Sequence, residues 1–329
     1  MKASEVIQTA PRWIELERIE CAVGPYCMSF GFDLEPLVQS IRAVGLVNAP
    51  LLMKNEHGRY DVISGFRRIQ AVRFLGWEKI LGRSLSRPRR SPLECLLLNL
   101  YDNLATRKLN DVEKGMVLKR LSPLLSENEL LAGYMPLLDL RAHAPILNLY
   151  LRIENELEWP IKESLARGHL SMQVAGKLLD LKGADRAAVF KLISILKFNV
   201  NEQNQVIDYM NDISKAEKKS TVQLCNQISR EGILSDSRMN TPQKAKAILK
   251  RLRAQRFPRL QQAEAVFKKR VSSLRLPKGV KISAPPYFES PDYQLQVIFR
   301  DGGDLEAKIE QLFRIKSLKS LKNPWEQGV

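Results

Sequence analysis

The residues best placed to do chemistry lie in the run Tyr60-Asp61-Val62-Ile63-Ser64-Gly65-Phe66-Arg67-Arg68-Ile69-Gln70-Ala71. A β-patterned stretch meets a glycine, and a helix-patterned stretch follows with two adjacent arginines in its first turn. Glycine allows a tight corner and a close backbone approach. A helix N-terminus presents free N–H groups and a partial positive charge. Guanidinium groups grip phosphate oxygens in pairs. Together these suit a phosphate group. A plain strand–helix junction with surface arginines would show the same letters, and Gly-x-Arg-Arg alone leaves both readings open.

A second set of candidates is a long run of positive charge. Between Arg238 and Lys281 fourteen basic residues face one acid, Glu264, so +13 of the chain's net +16 lies there. Lys244, Lys246, Lys250, Arg251, Arg253, Arg256, Arg259, Lys268, Lys269 and Arg270 are its candidate DNA contacts. One-signed charge suits the phosphate backbone of nucleic acid. The bland reading is an amphipathic helix with a solvated basic face, although such faces normally mix signs.

The elements that must position these residues follow from pattern. Trp13–Arg18 reads as a short strand or an extended segment. Leu34–Val44 reads as an amphipathic helix ended by Gly45. Pro50–Lys54 and Tyr60–Ile63 read as strands around a His57-Gly58 turn. Phe66–Leu75 is a helix closed by Gly76, and Trp77–Ser86 holds another strand. The basic connector Arg87-Pro88-Arg89-Arg90 leads into a helix over 92–104. From Asp111 to Asp236 the pattern is almost wholly helical. In the basic segment Thr241 is the expected N-cap with Pro242 at the first helical position, and Pro258 should kink or split the helix. Val280–Ser283 and Tyr293–Arg300 read as strands, and Asp301 caps a helix to about Ile315. The tail from Lys316 is polar and expected to fray. The fold class is therefore α+β. Three parts are expected: a small mixed domain over 1–110, a helical domain over 111–236, and a basic helix with a β-β-α module over 238–329.

Composition narrows the classes. The chain has 329 residues and is 44% hydrophobic, enough for packed cores. No apolar run approaches the ~18 residues that span a bilayer, so no membrane insertion is expected. The opening MKASEVIQTAPRW lacks an apolar core and a small-residue cleavage site, so a cytoplasmic location is expected. Cys21, Cys27, Cys95 and Cys225 show no paired spacing and are read as reduced thiols. His57, His143 and His169 are scattered, so no zinc site is expected.

Three blocks carry a family resemblance. Leu37-Val38-Gln39-Ser40-Ile41-Arg42-Ala43-Val44-Gly45-Leu46-Val47-Asn48-Ala49-Pro50 comes first. Gly65-Phe66-Arg67-Arg68-Ile69-Gln70-Ala71 follows. Asp102-Asn103-Leu104 with Arg107-Lys108-Leu109-Asn110-Asp111-Val112-Glu113 closes the set. In that order they resemble the N-terminal domain of the ParB/RepB-type chromosome and plasmid partition proteins, which has a ParB/sulfiredoxin-like fold. The resemblance implies a cytidine triphosphate (CTP) and Mg²⁺ site, with Gly45, Gly65, Arg67, Arg68 and Arg107 near phosphates and Asn103 and Asp102 near the metal. It also implies a DNA-binding, nucleoid-associated homodimer with a partition ATPase partner. An apolar helical stripe in the basic segment fits dimerisation, because such a stripe needs a cover.

Departures from the family are equally specific. Phe66 stands where the family has Glu, and Ala105 stands where it has Gln. A phenylalanine cannot polarise water, so weak or no CTP hydrolysis is expected, and no catalytic residue is assigned. The region 127–150 resembles a degenerate helix-turn-helix. Pro136, Pro145 and its leucines suit packing better than base reading, and the same role is expected for Arg141, His143 and Asn148. Two other classes stay open. One is a nucleotide-dependent phosphotransferase or nuclease on this scaffold, with Asp61, Asp102 and Glu113 as the nearby acids. The other is a protein-interaction adaptor whose basic tail meets acidic protein.

Overall fold

A computed structural model of the chain describes residues 10–85, 91–290, 292–315, 318, 319 and 321. The connector Arg87-Pro88-Arg89-Arg90 and most of the tail from Lys316 lie outside the described residues. The architecture is α+β, and backbone packing groups it into two units, 1–190 and 191–329. The three-part division at 110/111 and 236/238 stays a proposal.

The first unit opens with β1 (Arg12–Glu15), α1 (Glu35–Val44), β2 (Leu51–Lys54), β3 (Tyr60–Ser64), α2 (Phe66–Phe74), β4 (Lys79–Leu85) and α3 (Pro92–Thr106). The four strands form one sheet in the order β1-β4-β2-β3. β4 runs antiparallel to β1 and parallel to β2, and β2 pairs antiparallel with β3. Alternation along the strands sorts side chains to two faces. Ile14, Leu52, Val62 and Ile80 join Val38, Ile41, Ile69 and Val72 of α1 and α2 in one core cluster. Leu51, Met53, Ile63 and Leu85 point the other way and join Cys95, Leu96 and Leu100 of α3.

That second cluster continues into α4 (Asp111–Leu121) and beyond, through Leu109, Val117, Leu118 and Leu121. Next come a short helical turn α5 (Glu127–Glu129), a π turn over Leu130–Tyr134 and a 3-10 turn over Pro136–Leu138. After them follow α6 (Ala144–Glu156), α7 (Trp159–Ala166), α8 (Met172–Leu179) and α9 (Gly183–Leu196), within which the division of units falls. Leu130, Met135, Leu138, Leu147 and Tyr150 are buried in this core. The Tyr150 hydroxyl donates to Asp111 Oδ1 at 2.8 Å, tying α6 to α4. Burial, with this bond second, pushes the Tyr150 hydroxyl pKa upward. Packing therefore belongs to the leucines and Tyr150. Arg141, His143 and Asn148 are exposed instead, contrary to the packing role expected of them, because they occupy the opposite side of the same turn and helix.

The second unit holds α10 (Val200–Glu217), α11 (Thr221–Arg230), α12 (Thr241–Arg256), α13 (Pro258–Ser273), β5 (Val280–Ser283), β6 (Gln294–Val297) and α14 (Gly302–Phe313). The cap of α12 is Asn240 rather than Thr241. Asn240 and Gln243 form a reciprocal capping box, which places Thr241 and Pro242 inside the first turn. Pro258 does split the basic helix, at Phe257. Strand β6 stops at Val297, short of Arg300, while the Ile298 N–H still reaches Gly279 O at 2.8 Å. Ala245, Ile248 and Leu252 of α12 are buried and α12 packs on α10. The stripe expected to need a second copy is thus covered by its own chain.

Candidate functional site

A cavity of about 1060 Å³ opens beside the N-terminus of α2. Its floor is the sheet face around Leu81 and Arg83 of β4. One wall is α3, with Leu97, Leu98 and Tyr101. The other is the α1–β2 loop, Leu46 to Ala49, and the corner Ser64 to Arg68. Gly65 makes this corner at φ 96°, a left-handed conformation that favours glycine. A Cβ there would also lie 2.8 Å from Pro50 Cβ, so the corner sits hard against the loop. Gly45 ends α1 at φ 77° and turns the chain into that loop, without itself lining the cavity.

The two arginines of the corner have different duties. Arg67 donates to Glu113 Oε1 at 2.6 Å, and Arg107 donates to Glu113 Oε2 at the same distance. Glu113 is 1% exposed and also accepts the backbone N–H groups of Phe30 and Asn110. The Leu109-Asn110-x-x-Glu113 stretch is therefore a capping box for α4 whose acid holds two guanidiniums. Arg67 stacks over Phe32 at 4.6 Å, and its Nε is buried without an acceptor. Burial lowers the Arg67 pKa, the charge of Arg107 adds to this, and Glu113 opposes it. Arg68 donates to Asn48 O at 2.9 Å and faces Asp102 Oδ2 at 3.5 Å. Burial lowers its pKa too, with Asp102 opposing.

One side-chain oxygen of each residue expected to hold Mg²⁺ already has a partner. Asp102 Oδ2 accepts the Ser64 hydroxyl as well as facing Arg68. Asn103 Oδ1 accepts Arg107 Nε at 2.8 Å, and its amide donates back to Asn99. No cluster of three or more His, Cys, Asp or Glu stands ready for a metal among the described residues. Mg²⁺ is usually held by one or two carboxylates plus phosphate oxygens in near-octahedral geometry. Asp102 Oδ2 and Asn103 Oδ1, turned toward guanidiniums, are poorly set for that demand, and the expected metal role of Asp102 and Asn103 stays a proposal. A triphosphate does fit, because the cavity has the room and is rimmed by arginines.

Phe66 packs edge-on against Phe32 at 6.3 Å and contacts the α1–α2 core. In place of a carboxylate it supplies apolar packing. Asp61, another acid near the corner in sequence, accepts from Asn55 within the β2–β3 hairpin and does not line the cavity.

Residues 22–93 match the ParB N-terminal domain family. The chain thus carries a ParB N-terminal domain. This domain contains the corner and most of the cavity floor. Over 183 residues the chain is 26% identical to a probable chromosome-partitioning protein ParB of Coxiella burnetii, covering 56% of this chain and 60% of that protein. Over 195 residues it is 29% identical to a nucleoid occlusion protein of Halalkalibacterium halodurans, covering 57% and 65%. The alignments thus span less than two thirds of either relative. A solved structure of C-terminally truncated ParB from Caulobacter crescentus complexed to the centromeric parS site overlaps at TM-score 0.31 and 19% identity, over 60% of this chain and 98% of that one. The same protein complexed with CTP-gamma-S overlaps at TM-score 0.26 and 21% identity, over 56% and 98%.

Sequence reading missed Arg83 of this ParB N-terminal domain. It lines the cavity, is exposed, and pairs with no acid among the described residues. The available signal was the alternation in β4, where Lys79, Leu81 and Arg83 share a face.

The basic segment is less uniform in space than in sequence. Acids beside it, together with its own Glu264, pair with part of this charge. Arg251 meets Glu231 at 2.6 Å, Arg253 meets Glu264 at 2.7 Å, and Arg256 meets Asp212 while stacking on Phe257 and Tyr209. Lys244 donates to Leu234 O at 2.8 Å. Arg270 is half-buried. Lys246, Lys250, Arg259, Lys268 and Lys269 are exposed and have no ion pair among the described residues. No helix among the described residues is long and apolar enough to cross a membrane.

Proposed function

We propose that this chain is a ParB-like DNA-binding protein of chromosome or plasmid partition, or of related regulation, associated with the nucleoid. It takes a nucleoside triphosphate of the CTP type into the cavity beside α2. It holds DNA through backbone phosphates, on the exposed cations of α12 and α13. The observation that carries the nucleotide reading is the set of arginines converging on the cavity at the Gly65 corner, in and beside a ParB N-terminal domain. Arg68 is the corner arginine that is not anchored on the buried Glu113. Turnover is weak or absent, because Phe66 and Ala105 offer no group to activate water. Homodimerisation and a partition ATPase partner belong to the same proposal, with the exposed Leu295, Ile298, Phe299 and Phe313 of the β-β-α module as the dimer surface.

Calorimetry with CTP tests the nucleotide reading. Wild type is expected to bind, and Arg68→Ala is expected to weaken binding by about tenfold, the value of one charge-assisted contact. Failure of the wild type to bind any nucleoside triphosphate overturns it. A second, enzymatic reading has one observation in its favour: Asp102 accepts the Ser64 hydroxyl inside the cavity, the geometry of a base beside a nucleophile. Detectable turnover of CTP or ATP that disappears in Asp102→Ala would carry that reading instead.

A further inference from the structure

This inference rests on the cavity being a nucleoside triphosphate site. Arg67, Arg68, Arg83 and Arg107 all line it. Asp102 is the one carboxylate in that lining among the described residues, and its Oδ2 already accepts Ser64 and faces Arg68. A divalent cation entering this space would meet four guanidiniums, two of them paired with the buried Glu113 behind the lining, and the single carboxylate of Asp102. A triphosphate entering alone would meet an excess of positive charge in a half-enclosed site, where screening is weak.

Arg83 is held at the right place by the strand pairing. Its N–H donates to Pro50 O at 2.9 Å, and Pro50 is the residue on which Gly65 packs. Sheet register thus carries Arg83 to the rim of the same corner, while its guanidinium stays exposed. Arg67 and Arg107 are anchored on Glu113, so their positions are fixed before any ligand arrives.

We propose that the cavity binds its triphosphate without a divalent cation, Arg83 supplying the positive charge that a metal ion would otherwise bring. The test is calorimetry of the full chain with CTP, in Mg²⁺ and in EDTA at equal ionic strength. Kd in EDTA is expected within about threefold of the Mg²⁺ value, a shift well under one decade of affinity. Arg83→Gln is expected to weaken binding in EDTA by about tenfold with an unchanged thermal melt, since the side chain is exposed. Wild-type binding that falls by more than about tenfold in EDTA overturns metal independence and leaves the nucleotide reading standing. Arg83→Gln binding like wild type in EDTA overturns the role of Arg83. No binding in either buffer overturns the nucleotide reading together with this inference.

Discussion

Glu113 is the residue on which the site is built. Its carboxylate is 1% exposed and accepts from two guanidiniums and two backbone N–H groups. Removing one partner of a buried ion pair leaves the other charge uncompensated. Glu113→Gln should therefore lower unfolding free energy by about 3 kcal/mol, measured by urea titration. A change under about 0.5 kcal/mol, typical of a surface site, would show the network contributes nothing. At Gly65 the cause is steric. Gly65→Ala places a Cβ 2.8 Å from Pro50 in a left-handed backbone, so it should cost about 1–3 kcal/mol. CTP affinity should fall with it, because the corner must open to make room. Equal stability and affinity in the variant would sink this account. The Asn110-x-x-Glu113 box was legible in the sequence as a motif. Its convergence with Arg67, 46 residues earlier, was not, because no local pattern records a contact at that separation.

At the scale of elements, the basic helices divide into structural and available cations. Arg251 lies against Glu231, and its neighbours along the helix do likewise with other acids. Lys268 and Lys269 have no such commitment. Charge reversal of Lys268 and Lys269 to Glu should weaken DNA binding at every sequence tested and leave the thermal melt in place. Arg251→Ala should instead lower the melting temperature, since Glu231 loses its partner. If both variants weakened DNA binding equally with no change in melting, the division would be wrong. The helical periods, the Pro258 break and the Asp301 cap were readable because each depends on residues a few positions apart. Exposure of Arg141, His143 and Asn148 was not, since a leucine-rich stretch does not say which of its polar residues face out.

For the whole molecule, the proposed function puts its two anionic ligands in different units, the nucleotide in residues 1–190 and the DNA backbone in 191–329. DNA affinity should fall with salt as about −0.9 per phosphate neutralised. Five exposed cations give a log–log slope of about −4 to −5. A slope near −1, read by fluorescence anisotropy across a salt series, would exclude the backbone-contact picture. The sequence by itself determined the α+β class, the Gly65–Arg68 corner, the family resemblance and the concentration of charge between Arg238 and Lys281. All of these are local in the chain or ordered along it. Tertiary structure alone decided which cations are spoken for. Arg67 and Arg107 close on one buried acid, Arg251 and Arg256 find acids on neighbouring turns and helices, and Arg83 comes to the cavity rim through its strand's pairing with β2. Charge pairing acts through a few ångströms of space, and sequence distance carries no information about that.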